Sequence, residues 1–284
     1  MKQRQVAAIL NSRPTSDGAG VKIQRAISPA KENLFDPFLM LDEIFSDDAE
    51  DYMAGFPEHP HRGFETVTYM LEGKMLHRDH MGNEGLLESG DVQWMTAGKG
   101  VLHSEMPQQE QGRMHGFQLW VNLPARLKMI PAHYQEFKAA KIPQVNFGSA
   151  STLKVISGIF DNGEKKITGP VEAKHVDGQY FDVSLAAGDL FQTKIKASKT
   201  AFFYVITGEL ELPGKNAVQK VRAKQTALLS EGNSIEIKAL ADAQFLLIAG
   251  EAIREPMVQY GPIVMNTMEE VEQALQDYRT GKLV

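Results

Sequence analysis

Short apolar or alternating runs, broken by glycine, proline, asparagine and aspartate, dominate this chain of 284 residues and restrict its fold more than any other feature. Runs of this length and period are typical of β-strands, and helical periodicity is scarce. The clearest runs are Thr66–Leu71, Lys74–Leu76, Asp91–Thr96, Gly116–Asn122, Leu153–Phe160, Phe181–Leu185, Ala201–Ile206, Glu209–Leu212, Ala227–Leu229, Ser234–Ile237 and Ala243–Ala249. The sequence therefore predicts an all-β protein.

Two segments with the same pattern indicate an internal duplication. Thr68–Leu76 and Tyr204–Leu212 each predict a β-hairpin, in which two paired strands are joined at a glycine turn, at Gly73 and Gly208, which lie 135 residues apart. This offset is about the length of one β-barrel domain. We therefore expect two barrels in tandem, an N-terminal domain at residues 1–135 and a C-terminal domain at residues 136–284.

A single helix is predicted close to residue 284, and we expect it to cover a barrel. Thr267 is suited to the N-cap, Glu270 completes a capping box, and Gly281 is suited to the C-terminal end. The apolar stripe between them consists of Met268, Val271, Leu275 and Tyr278.

Composition and charge exclude several classes of site. The chain has no cysteine, so disulfides, thiolate metal sites and cysteine nucleophiles are excluded. A net charge of −6 and the lack of a basic aromatic face argue against direct nucleic-acid binding. No run reaches the roughly 18 apolar residues that cross a bilayer, and the apolar stretch Val6–Leu10 is too short for a signal peptide. We therefore expect no membrane partner and a cytoplasmic location.

Two short motifs predict a metal site. His59-Pro60-His61 and His103-Ser104-Glu105 each place two donor side chains at positions i and i+2, which share one face of a strand. Three imidazoles and a carboxylate suit Fe, Zn, Cu, Ni or Mn and leave open positions on an octahedral ion. Glu65 has the same parity as His59 and His61 and is an alternative ligand or a hydrogen-bond partner of a ligand.

The other histidines are weaker candidates for the site. We expect His77 and His80 to be exposed and His115 to be packed in the core. No role is assigned to His133 or His175.

Several longer motifs closely resemble the pirin family of bicupins, and the resemblance spans both halves of the chain. They are Phe35–Glu43 (FDPFLMLDE), His59–Tyr69 (HPHRGFETVTY), Gly90–Gly100 (GDVQWMTAGKG), His103–Pro107 (HSEMP), Gly116–Pro124 (GFQLWVNLP) and Glu255–Asn266 (EPMVQYGPIVMN). The resemblance implies two jelly-roll-like cupin barrels in tandem with a C-terminal helix. It also implies one divalent metal ion, Fe(II) first and Ni, Cu, Mn or Zn as alternatives, in the N-terminal barrel only.

The resemblance assigns the metal ligands to the positions of His59, His61, His103 and Glu105, and it makes Glu65 a neighbour rather than a ligand. The second barrel agrees with this, because an offset of 135 residues without gaps places His59 and His61 on Lys194 and Lys196. We therefore expect a C-terminal cupin-like domain without metal.

Two functions follow from the resemblance. The first is a quercetin 2,3-dioxygenase, an oxidoreductase that opens a flavonol ring with O₂ and releases carbon monoxide, with Glu105 as general base. Phe56 and Met106 are candidates for the apolar wall beside the substrate. The second is a non-enzymatic, metal- and redox-dependent regulator of a transcription factor or metabolic enzyme. For that role the six carboxylates of Leu41–Asp51 form a candidate surface for a basic protein partner. We expect the protein to be a monomer.

Overall fold

The computed structural model describes residues 2–28, 33–214 and 217–284, which form 26 β-strands, three 3₁₀ helices and one α-helix. The strands are β1 (Val6–Asn11), β2 (Arg13–Asp17), β3 (Val21–Ile27), β4 (Phe38–Ser46), β5 (Phe56–His61), β6 (Phe64–Glu72), β7 (Met75–Asp79), β8 (Glu84–Leu87), β9 (Val92–Thr96), β10 (Val101–Pro107), β11 (Met114–Asn122), β12 (His133–Phe137), β13 (Gln144–Phe147), β14 (Ser151–Ser157), β15 (Ile159–Asp161), β16 (Lys166–Thr168), β17 (Gln179–Leu185), β18 (Leu190–Lys194), β19 (Lys199–Thr207), β20 (Glu209–Pro213), β21 (Val218–Arg222), β22 (Gln225–Leu229), β23 (Ser234–Ala239), β24 (Ala243–Glu251), β25 (Val258–Tyr260) and β26 (Ile263–Met265). The 3₁₀ helices are Ala49–Asp51, Ala125–Leu127 and Ala139–Lys141, and the α-helix, α1, is Met268–Arg279. Each predicted run overlaps at least one strand, so the all-β prediction is confirmed.

The chain forms two compact units. The first residues of the sequence belong to the C-terminal unit, and the last residues belong to the N-terminal unit. The N-terminal unit comprises Pro14–Ser28, Phe38–Ala139 and Ile253–Val284, and the C-terminal unit comprises Met1–Arg13, Pro29–Pro37 and Ala140–Ala252. This division differs from the predicted domains 1–135 and 136–284 at both ends of the sequence. The physical reason is backbone pairing, because β1 pairs with β22 and the backbone of Arg62 forms hydrogen bonds with Pro262 and Val264.

Both units repeat one strand order, as the predicted duplication requires. The N-terminal unit has a seven-stranded sheet, β12-β9-β6-β11-β4-β3-β2, and a four-stranded sheet, β5-β10-β7-β8. The C-terminal unit has the matching sheets β1-β22-β19-β24-β17-β14-β13 and β18-β23-β20-β21. The correspondence makes β18 and β23 the counterparts of β5 and β10.

The two duplicated glycine turns are not hairpins. Gly73 and Gly208 both have positive φ, at 101° and 82°, but the strands on either side of each glycine belong to different sheets. The turn therefore passes the chain from one sheet of its unit to the other. The prediction of two strands at each position is confirmed, and their pairing with each other is wrong.

The interiors of the two units differ in polarity. In the C-terminal unit, apolar side chains from both sheets, such as Phe191, Phe203 and Ile237, form one continuous core. In the N-terminal unit the apolar core shares the interior with buried polar side chains that include His61, His103 and Glu105. Burying polar groups costs free energy unless they are satisfied, so this polar region marks the candidate site.

The predicted capping box of α1 is confirmed. The Thr267 side chain accepts a hydrogen bond from the Glu270 backbone, and the Glu270 side chain accepts one from the Thr267 backbone. The predicted stripe is only partly buried, because Val271 is buried whereas Met268 and Tyr278 are exposed. Ala274 completes the buried face. Within the described residues, no helix is long and apolar enough to cross a membrane.

The Gly208 turn yields a testable prediction. An added Cβ at Gly208 would overlap the carbonyl oxygen of Asp242, whereas Gly188 has nearly the same φ, 84°, and open space around it. We expect Gly188→Ala to lower the free energy of unfolding by about 1–3 kcal/mol, the cost of the left-handed backbone. Gly208→Ala should cost clearly more, because the backbone of Asp242 must also move. Urea unfolding followed by circular dichroism measures both, and equal losses would contradict the predicted overlap.

Candidate metal centre

Antiparallel pairing of β5 with β10 brings the two predicted motifs together. His59 lies opposite His103, and His61 lies opposite Val101. The register shifts between His103 and Glu105, so that Glu105 lies opposite Phe56. Since side chains two residues apart share a face of a strand, His59, His61 and His103 point toward one place.

The three imidazoles form a compact group. Their ring centroids are 4.4 Å apart for His59 and His103, and 4.7 Å apart for each of the other two pairs. One nitrogen from each ring lies within 4.8 Å of the other two. His61 and His103 are buried and His59 is half-buried. This is the one group of three or more candidate metal ligands that occurs in the described part of the chain.

The donor geometry fits a metal ion. Two imidazole nitrogens that bind one ion at about 2.1 Å and at right angles lie about 3.0 Å apart. The Nε2 atoms of His59 and His61 are 3.0 Å apart. His103 Nε2 is buried and has no hydrogen-bond partner among the described residues. An unsatisfied buried nitrogen is costly, and a bound ion would satisfy it.

The other ring nitrogens of two of these histidines are held by hydrogen bonds. His59 Nδ1 lies 2.8 Å from the carbonyl oxygen of Pro57, to which it can only donate. His59 Nε2 is therefore left with its lone pair. His103 Nδ1 lies 2.8 Å from Nε2 of His77. Partners of this kind fix the orientation of a metal-binding imidazole.

Burial keeps the group in the form that binds metal. Loss of solvent lowers the pKa of His61 and His103 well below the usual histidine range, and the neighbouring imidazoles lower it further. Neutral imidazole has the free lone pair that a metal ion requires.

Glu105 does not join the imidazole group, although it lies on the same face of β10 as His103. Its buried carboxylate is held by two side chains of the seven-stranded sheet. Gln118 Nε2 donates to Oε1 at 3.2 Å and to Oε2 at 3.0 Å, and the Thr68 hydroxyl donates to Oε1 at 3.0 Å. The three hydrogen bonds fix the carboxylate two residues from a candidate ligand.

The burial of His77 differs from the prediction. This residue was expected to be exposed, but it is only 1% exposed, because β7 continues to Asp79 and pairs with β10. Burial also lowers the pKa of His77. The polar side chains of His77–His80 are typical of a loop. The one sequence feature that indicates a strand is the position of His77 two residues after the apolar side chain of Met75.

The remaining candidates lie outside the imidazole group. Glu65 is buried on β6 and accepts a hydrogen bond from Thr96 at 2.6 Å. His80 is exposed, as expected. His115 was expected in the core, but it is half-buried at the sheet surface and lies 2.9 Å from Glu43.

The predicted apolar wall is also corrected. Met106 points to the face of β10 opposite Glu105, because successive side chains of a strand alternate. Phe56 packs against an apolar cluster that contains Tyr52. The aromatic side chains beside the imidazoles are Phe64 and Trp120, whose ring centroids are 5.0 Å and 5.4 Å from that of His61.

The acidic segment Leu41–Asp51 is less exposed than its composition suggests. Asp42 and Glu43 are buried on β4, and Arg25 pairs with Asp42 at 2.7 Å. The exposed carboxylates of the segment are those of Asp47, Asp48 and Glu50.

Among its described residues, the C-terminal unit has no counterpart of the imidazole group. The interior positions of β18 and β23 hold Phe191, Thr193, Ile235 and Ile237. Lys194 and Lys196, the positions predicted from the offset, line a cavity of about 410 Å³. Lys194 pairs with Asp161 at 3.1 Å, and Lys196 pairs with Asp177 at 2.6 Å. These ion pairs offer no metal donor set.

Comparisons with known proteins agree with this architecture. Residues 20–121 match the Pirin family model, and residues 180–284 match the Pirin C-terminal cupin domain. A pirin-like protein of Caulobacter vibrioides is 48% identical over 99% of this chain and 100% of its own length. A Pseudomonas aeruginosa protein provisionally named quercetin 2,3-dioxygenase is 46% identical over 99% of both chains.

A solved structure extends the comparison. The crystal structure of quercetin 2,3-dioxygenase from Acinetobacter baumannii superimposes with a TM-score of 0.89 and 32% identity, over 99% of this chain and 98% of that one. Two family models in tandem, close relatives along the whole length and a shared bicupin fold lead to one conclusion. The chain belongs to the pirin family.

Proposed function

We propose that the protein binds one divalent metal ion through His59, His61, His103 and Glu105, with the Glu105 carboxylate turning from Gln118 and Thr68 toward the ion, and that it opens a flavonol ring with O₂ as a quercetin 2,3-dioxygenase. The observation that carries the proposal is the convergence of three imidazole nitrogens at a buried point, where His103 Nε2 has no hydrogen-bond partner among the described residues. The names of the Pseudomonas and Acinetobacter proteins supply the reaction. Iron(II) is the first choice of metal, and the donor set also suits Ni, Cu, Mn and Zn.

Glu105 has the position and the partners of a general base. It lies two residues from His103, close enough to meet a substrate held at the imidazole group, and it would accept the proton of the flavonol 3-hydroxyl. The hydrogen bonds from Gln118 and Thr68 hold the carboxylate in place before the transfer. When bound, the metal supplies the charge that stabilises the flavonol anion and brings O₂ to it.

The surroundings of the imidazoles suit an aromatic polyphenol. Trp120 and Gln118 are two residues apart on β11, so both face the imidazole side of the sheet, and both are half-buried. The Trp120 ring would stack on a flavonol ring, and the Gln118 amide would remain beside Glu105. An interior that combines one aromatic face with a few fixed polar groups is typical of a small-molecule site.

The base assignment predicts a specific loss of activity. Glu105→Gln keeps the shape of the side chain but removes the proton acceptor, so quercetin-dependent O₂ consumption should fall by about 10²–10⁴-fold. The three imidazoles should still retain metal, which elemental analysis of anaerobically purified protein measures.

Glu65→Gln is the matched control, because Glu65 is a second buried carboxylate of the same unit that lies outside the imidazole group. It should retain both metal and turnover. Metal loss in Glu65→Gln but not in Glu105→Gln would instead identify Glu65 as the ligand. If the metal-loaded wild type leaves quercetin unchanged, the dioxygenase proposal is wrong. The alternative function, a metal-dependent regulator of another protein, would then be favoured.

The contact between His77 and His103 predicts a change in metal affinity. His77→Phe preserves an aromatic ring but removes the partner of His103 Nδ1, so the affinity should fall by about 10–100-fold. Competition with a chromophoric chelator measures the dissociation constant. His80→Phe, at an exposed position three residues away, should leave it unchanged. Equal constants for wild type and His77→Phe would show that His77 does not orient His103.

A further inference from the structure

Arg62 connects the candidate metal ligands to a distant part of the sequence. It follows His61 directly and is only 4% exposed. Its guanidinium donates to three groups: the carbonyl oxygen of Lys99, Oδ2 of Asp277 at 2.7 Å, and the carbonyl oxygen of Leu283 at 3.1 Å. Lys99 precedes β10, which carries His103, whereas Asp277 and Leu283 belong to residues 253–284, here called the distal segment.

The backbone of the distal segment lies along the residues that follow His61. Pro262 accepts a hydrogen bond from the Arg62 N–H at 3.3 Å, and the Val264 N–H donates to the Arg62 carbonyl at 3.0 Å. An added Cβ at Gly63 would overlap the carbonyl oxygen of Val264, so this close approach requires glycine.

A buried ammonium group strengthens the same junction. Lys128 is only 1% exposed, and its Nζ donates to the carbonyl oxygens of Gly63 at 2.8 Å and Val264 at 3.0 Å. Its third donor meets Asn122 Oδ1 at 2.7 Å. Two of the three Nζ donors therefore connect the turn after His61 to the distal segment, and the third anchors the side chain to Asn122 of β11.

The distal segment also contacts the start of β10. Leu102, which immediately precedes His103, packs against an apolar cluster made by the distal segment. The buried members of the cluster are Ile263, Met265, Val271, Ala274 and Leu283. The Leu283 carbonyl lies so close to Gly100 that a Cβ at Gly100 would overlap it. The distal segment thus contacts Arg62, which follows His61, and Leu102, which precedes His103.

We propose that the distal segment is a positioning element of the metal centre, and that Arg62, Asp277 and Leu283 set the affinity for the ion by holding the chain next to His61 and His103. The proposal rests on the metal site proposed above. Metal affinity depends on ligands that are held in place before the ion binds. Without the distal segment, the turns at Arg62 and Lys99 would lose the contacts that hold both of them. The imidazoles would then be more mobile before metal binding, and ordering them would lower the affinity for the ion.

The test compares two variants of the full chain with two controls. A chain that ends at Lys282 removes Leu283 and Val284, and Asp277→Asn removes the ion pair without touching a ligand. Glu272→Gln, an exposed carboxylate on α1, and Val284→Ala, an exposed apolar residue, are the matched controls. The probe is nickel(II) alone, titrated in competition with a chelator at a temperature where circular dichroism shows each apoprotein folded.

We expect the dissociation constant for nickel to rise by about 10–100-fold in the shortened chain, by a smaller factor in Asp277→Asn, and not at all in the controls. Amide hydrogen exchange of the apoproteins should show faster exchange at residues 61–64 and 99–103 in the first two variants. These readouts do not depend on dioxygenase activity.

Unchanged constants in folded Asp277→Asn and in the shortened chain would overturn the positioning role. A lower melting temperature with unchanged affinity would reduce the distal segment to a stabilising element and also contradict the proposal. If the wild type binds no nickel, the metal site fails and this inference fails with it. Metal binding without quercetin turnover affects only the proposed reaction.

Discussion

His59 faces His103 because β5 and β10 pair in one antiparallel register, and a slip of one residue would turn one of the two motifs toward the other face of the sheet. The pairing therefore creates the donor group as well as the sheet. The rest of the N-terminal unit preserves this register. β7 supplies His77 behind His103, and the seven-stranded sheet supplies Gln118 and Thr68 to fix Glu105. His103 and Glu105 are thus each held by side chains from strands other than their own.

The sequence predicted what depends on local period, and it missed what depends on the pairing of distant strands. Two donors at positions i and i+2 must share a face, so His59 could be grouped with His61, and His103 with Glu105, before any fold was known. Nothing near His77 indicates which strand will cover it. The pairing of the strands beside Gly73 could not be predicted for the same reason. A glycine between two strands does not reveal whether they pair with each other or enter different sheets.

Duplication followed by divergence explains the contrast between the two units. The same strand order surrounds imidazoles in one interior and Phe191, Ile235 and Ile237 in the other. An apolar interior stabilises the C-terminal unit through burial. The N-terminal unit buries polar side chains in its interior, which lowers this stabilisation but provides a site that can hold a metal ion. The internal duplication predicted two barrels, and His59, His61 and His103 lie in the interior of the N-terminal unit.

The exchange of terminal segments has a consequence for synthesis. Chains emerge from the ribosome at about 5–20 residues per second, and domains that are continuous in sequence can fold as they appear. The residues around His59 and His103 emerge early, but the partners of Arg62 and Lys128 in Ile253–Val284 appear only after all of the C-terminal unit. The metal-binding barrel, although first in the sequence, is therefore completed last, and its final geometry is reached only once the whole chain through Leu283 has been made.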